Sequence, residues 1–154
     1  DQRWIREKSV ILFDPENKLV AKFKELSVLI AKQTKTQLWQ FFKDVFYSHE
    51  IEKCLKRSDP ETAGLYFYKA IENIIKFIFL YLEQPMPPFK WRWYFLIKDG
   101  LVSPKIIESL QTIISGSKPA LVKLQQLLSV EKQLQQMMLD KGYSTKMVNE
   151  HWRF

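Results

Sequence analysis

Two side chains on one helical face and one basic, aromatic stretch hold most of the chemistry this sequence offers. Tyr68 and Glu72 stand four residues apart inside an apolar run, so a helix places them on the same face. Burying either one without a partner costs free energy. Glu72 therefore has two readings. In one, Lys69, Lys76 or Lys90 satisfies it; in the other it is a pocket carboxylate, a candidate catalytic base that binds or deprotonates a substrate group. The stretch Phe89-Lys90-Trp91-Arg92-Trp93-Tyr94 interleaves cations with rings. Such a pattern stacks on a base or sugar while a cation meets phosphate. The competing reading packs Trp91, Tyr94 and Phe95, at helical spacing, into the core and leaves Lys90 and Arg92 facing water.

Other chemistries lack their residues. Four scattered glycines, Gly64, Gly100, Gly116 and Gly142, form no phosphate-cradling loop. The single Cys54 and the two distant histidines, His49 and His151, assemble no metal cluster and no internal disulfide. His49 and Cys54 share a helix without an orienting third group, so an idle thiol is the expectation there. A lone cysteine suggests a reducing, cytoplasmic setting. The chain opens Asp-Gln-Arg-Trp without an apolar leader segment or an initiating Met, as expected of a processed chain or a portion of a longer one. With 24 Lys and Arg against 17 Asp and Glu, the net charge of +7 favours anionic partners. Equally, that excess serves solubility, because no Lys/Arg run is dense.

The elements that must position these residues are helices. Glycine is sparse and apolar spacing is helical throughout, which argues against a sandwich or barrel. Residues Ser9 to Phe13 form a short β-favouring run stopped by Asp14-Pro15, a strand without a partner in the rest of the chain. Residues 1–14 are thus expected to be an extended arm or the last strand of a catalytic domain outside this sequence, and residues 15–154 a helical bundle. The first helix is expected from Pro15 to about Lys32 and the second from about Thr36 to Arg57, with the polar Gln33-Thr34-Lys35-Thr36 link either bent or continuous. Ser58 or Asp59, followed by Pro60 and Glu61, starts the third, which runs to about Glu83. Its apolar side chains point in nearly every direction, as in a helix surrounded by others. Lys69, Glu72, Asn73 and Lys76 keep it too polar to span a membrane.

Pro85, Pro87 and Pro88 hold the next link extended. A fourth helix covers Phe89 to Asp99 and stops at Gly100. A fifth follows Ser103-Pro104, a sixth runs from about Pro119 to Lys141, and a short last one starts at Ser144. The expected fold is all-α: an antiparallel up-and-down bundle of about five to seven helices around a very apolar central helix.

Taken in order, Val10-Ile11-Leu12-Phe13-Asp14-Pro15, the helix opened by Asp59-Pro60 with Tyr68-Lys69-Ala70-Ile71-Glu72, and Pro87-Pro88-Phe89-Lys90-Trp91 resemble a known pattern. It is similar to the carboxy-terminal helical, HEPN-like part of bacterial and archaeal nucleotidyltransferases, from Val10 to about Gly142. The resemblance implies a substrate-binding domain that lines an acceptor pocket opposite a catalytic domain, with Mg²⁺ and a nucleoside triphosphate held by that domain. It implies that Glu72 contacts or activates the acceptor, that Tyr68, Lys90 and Trp91 line the site, and that the domain can promote oligomerisation. The family's Gly-Ser and Asp-x-Asp signature is absent, since Gly116-Ser117 precedes Lys118-Pro119. This chain alone is therefore not expected to transfer nucleotides. Neither His49 nor His151 has the upstream Arg of HEPN ribonucleases.

A second reading makes the chain a stand-alone basic module that binds RNA or an acidic protein through Lys90, Arg92 and their neighbours. A third makes it a homo-oligomerisation domain, with Met147, Val148 and Trp152 as the contact.

Overall fold

The computed structural model describes residues 15–149, without the side chains of residues 23, 26–36, 147 and 149. The described chain is all-α, a helical bundle, and it contains no strand. The expected strand at residues 9–13 lies outside the described residues. Seven helices follow one another: α1 (Lys18–Lys43), α2 (Ser48–Lys56), α3 (Pro60–Tyr81), α4 (Phe89–Lys98), α5 (Pro104–Ile114), α6 (Ala120–Asp140) and α7 (Thr145–Asn149). None is long and apolar enough to cross a membrane.

Backbone contacts divide the described chain into two compact units. One combines residues 15–41 with Ile75–Leu101, and the other combines Phe42–Ile74 with residues 102–149. In the first, Phe77, Ile78 and Phe79 from the end of α3 are buried, as is Leu96 of α4. In the second, α5 and α6 lie along each other as a helical hairpin, and α6 also packs against α2 and α7. Leu127, Leu134 and Met138 of α6 are fully buried there, each stabilising the fold by about 1.5–3 kcal/mol. Ser109 of α5 donates to Gln126 Oε1 of α6 at 2.8 Å, which satisfies a buried hydroxyl.

Of the two alternatives for the link at residues 33–36 the continuous one holds, and the break falls later in the chain than the expected helix bounds. Residues 33–36 are continuous helix, because that link has polarity but neither proline nor glycine to interrupt the ladder. The chain turns instead at residues 44–47, where two distant side chains satisfy the freed backbone groups. Asn73 of α3 donates to the Asp44 carbonyl at 2.8 Å. Glu131 of α6 accepts from the Tyr47 and Ser48 amides, both at 3.1 Å, and thereby caps the start of α2.

The boundary between α2 and α3 separates two residues that the sequence left as alternatives. Asp59 caps α3, with Oδ1 accepting from the Thr62 amide at 3.0 Å. Hydrogen bonds from Thr62, side chain first and backbone second, hold its carboxyl below the usual range. Ser58 instead ends α2 in the left-handed region at φ 57°. Its amide bonds the Leu55 carbonyl and the Asp59 amide bonds the Cys54 carbonyl, a Schellman ending. Gly100 and Gly142 end α4 and α6 in the same way, at φ 58° and 90°.

The central helix is not enclosed along its whole length. From Asn73 to Phe79 it is largely buried, but Leu65 and Tyr68 in its first half are exposed. Val148, expected to be an exposed oligomerisation contact, is fully buried within its unit, while the Met147 side chain and Trp152 lie outside the described residues.

Candidate functional site

Extended backbone after α3 delivers α4, and Arg92 secures that junction. Its Nε donates to the Pro87 carbonyl at 3.2 Å, reaching back to the loop that starts its own helix. Pro88 precedes the first turn at φ −52° and ψ 148°, an extended geometry compatible with proline. Leu96 anchors α4, fully buried, and the Schellman ending at Gly100 closes it.

Around that anchor the helix shows rings and cations to water. Phe89, Trp91 and Tyr94 are 58%, 43% and 48% exposed, and Ile97 is exposed beside them. The expectation that Trp91 and Tyr94 pack into the core does not hold. One helix of ten residues has a single fully buried position, at Leu96, and its amphipathic pattern is too weak to enclose every ring. Trp93 and Phe95 are half-buried.

Each cation lies close to a ring. Lys90 Nζ is 5.6 Å from the Trp91 centroid, the Arg92 guanidinium 5.7 Å from Phe89, and Lys98 Nζ 5.4 Å from Tyr94 and 5.9 Å from Phe95. Trp91 and Tyr94 meet edge to face at 5.9 Å. From Phe89 to Lys98 there are three cations and no carboxylate. Lys90, Tyr94 and Lys98 recur every four residues and form one row along the helix, about 12 Å from first to last. Lys98 extends the candidate set beyond the stretch chosen from sequence, and that four-residue recurrence was its readable sign.

The other sequence candidates lie elsewhere. Tyr68 and Glu72 belong to the unit containing α2, α5 and α6, whereas Lys90, Trp91 and Arg92 belong to the unit containing α4. Tyr68 is 57% exposed, and Glu72, one turn further along the same face, is half-buried. Cys54 is buried and His49 exposed, in keeping with an idle thiol. Among the described residues no cluster of His, Cys, Asp or Glu is arranged to hold a metal.

The residue that sequence reasoning missed is Glu131. It is fully buried, Oε1 caps α2, and Oε2 has no hydrogen-bond partner among the described residues. Burial pushes its carboxyl up from 4.5 to about 7, against the pull of hydrogen bonds from Ser48 and Tyr47. Its sign in the sequence was a carboxylate standing at a core register of α6, four residues after Leu127 and three before Leu134.

Comparison with protein-family models, with curated proteins and with solved structures finds no match, so these residues are read on their own chemistry.

Proposed function

We propose that this protein is a helical binding module that holds single-stranded RNA on the exposed face of α4. One observation carries the reading: Trp91 and Tyr94 are exposed beside Lys90 and Lys98 on the side of the helix away from buried Leu96, and the helix has no carboxylate. Unpaired bases offer π-faces to such rings, and the intervening phosphates take the cations. An open row of side chains suits an extended strand, and a duplex hides the faces these rings would stack on.

The family resemblance fits inside this reading. Should a nucleotidyltransferase catalytic domain accompany the chain, with Mg²⁺ and a nucleoside triphosphate bound there, the strand on α4 would be its acceptor.

Fluorescence anisotropy with a labelled single-stranded oligonucleotide tests the proposal. Two phosphate contacts, from Lys90 and Lys98, give a slope of log K against log salt of about −1.4. The expected result is that slope, a preference over duplex RNA, and a loss of affinity in Trp91→Ala. Salt-sensitive binding indifferent to Trp91→Ala would mean generic attraction to acidic surfaces, including an acidic protein, and would overturn the reading.

A further inference from the structure

The first half of α3 has a free face with a self-complementary pattern. Glu61, Gly64, Leu65, Tyr68 and Lys69 are all exposed, Leu65 most of all at 72%. At 100° per residue these positions form one continuous stripe along the helix. Leu65 sits at its middle, Glu61 one turn before it and Lys69 one turn after it. Glu61 and Lys69 are two turns apart, about 12 Å along the axis, and so cannot pair with each other. Among the described residues neither has an ion-pair partner; Lys69 rests 5.4 Å from the Tyr47 ring centroid. Open space surrounds Gly64, with nothing within 4 Å of where a side chain would begin, so another backbone can approach there.

We propose that this face pairs with the same face of a second copy of this chain, the two α3 helices running antiparallel about a two-fold axis at Leu65. Symmetry about that point places Glu61 of each copy opposite Lys69 of the other, so both charges, without an ion-pair partner among the described residues, find one across the axis. Leu65 meets its own counterpart and Tyr68 covers it from the side. Gly64 lets the helices close to contact. No other arrangement of two such faces satisfies both charges: a parallel pairing sets Glu61 against Glu61 and Lys69 against Lys69. The partner is thus another copy, because a stripe whose charges invert about its own centre is complementary to itself.

Sedimentation velocity over a range of protein concentrations tests this with five variants of the full chain. The wild type is expected to associate to a dimer as concentration rises. Leu65→Glu places like charges on the axis and should raise the dissociation constant by at least roughly tenfold. Gly64→Gln improves helix propensity at an open position, so it should fold at least as well while weakening the dimer. Glu61→Lys and Lys69→Glu should each weaken association, and the double reversal should restore it. Circular dichroism confirms that each variant remains helical. A chain that stays monomeric at all concentrations overturns the proposal, whatever else that face binds. So does a dimer indifferent to Leu65→Glu, or a double reversal no better than its parents. None of these readings depends on RNA, so failure here leaves the α4 proposal standing.

Discussion

Replacing Glu131 with Gln should remove a pH dependence that this buried carboxylate imposes on folding. In the folded chain its carboxyl titrates near 7, against 4.5 in an unfolded one. The folded state therefore holds a proton that the unfolded state has released between those values, so stability falls as pH rises through the window. Its contribution is complete below about 4.5 and gone above about 7. Linkage over pH 5 to 8 gives a loss of about 2.5 kcal/mol for the wild type. In a chain of this size that corresponds to roughly 5–10 °C in Tm.

Glu131→Gln keeps a carbonyl oxygen for the Tyr47 and Ser48 amides and has no proton to lose. Every other titratable group is common to the two proteins, so subtracting one Tm profile from the other isolates Glu131. The expected difference curve slopes across pH 5 to 8 and flattens above it. Parallel profiles would refute the argument, since they would mean that Glu131 is charged at no cost and its burial is not what the structure indicates.

Two further substitutions address the helix ends. Asn73→Ala leaves the Asp44 carbonyl without its 2.8 Å donor and should destabilise by about 0.5–1.5 kcal/mol, read from urea unfolding at unchanged slope. Ser58→Gly should stabilise by about 0.5–1 kcal/mol, because Ser58 holds a left-handed conformation, φ 57°, that glycine adopts freely; a lower Tm would show that its hydroxyl contributes something that the backbone angle does not.

Helix content was legible because periodic apolar spacing and local punctuation act within a few residues. Pro60, Pro104, Gly100 and Gly142 each mark an end that the structure keeps. The turn at residues 44–47 was not legible, and the reason is sequence separation. Its two caps come from 29 and more than 80 residues away, and no local signal states that Asn73 and Glu131 converge there. Both nonetheless broke the local pattern, as polar groups at apolar registers, and a buried polar group implies an unseen partner. The residue types of α4 were legible in the sequence, but their exposure was not. Periodicity says that Trp91 and Tyr94 share a face; only tertiary packing decides whether that face is covered.

That distinction separates stability from binding at α4. A ring that stays in water gains little from folding, so the exposed aromatic surface of Trp91 and Tyr94 has no large stabilising role to explain it. Leu96, fully buried on the same helix, does. Trp91→Ala and Tyr94→Ala should therefore change stability by only about 0.5–1 kcal/mol, most of it from edge-to-face and cation contacts. Each should cost about 1–3 kcal/mol in single-strand affinity if a base stacks on it. Leu96→Ala should show the opposite pattern, losing about 2–5 kcal/mol of stability while any protein still folded binds normally. If the two exposed rings prove as costly to stability as Leu96, they serve the core after all and the binding face is misassigned. If they cost neither stability nor affinity, α4 meets its ligand through charge alone.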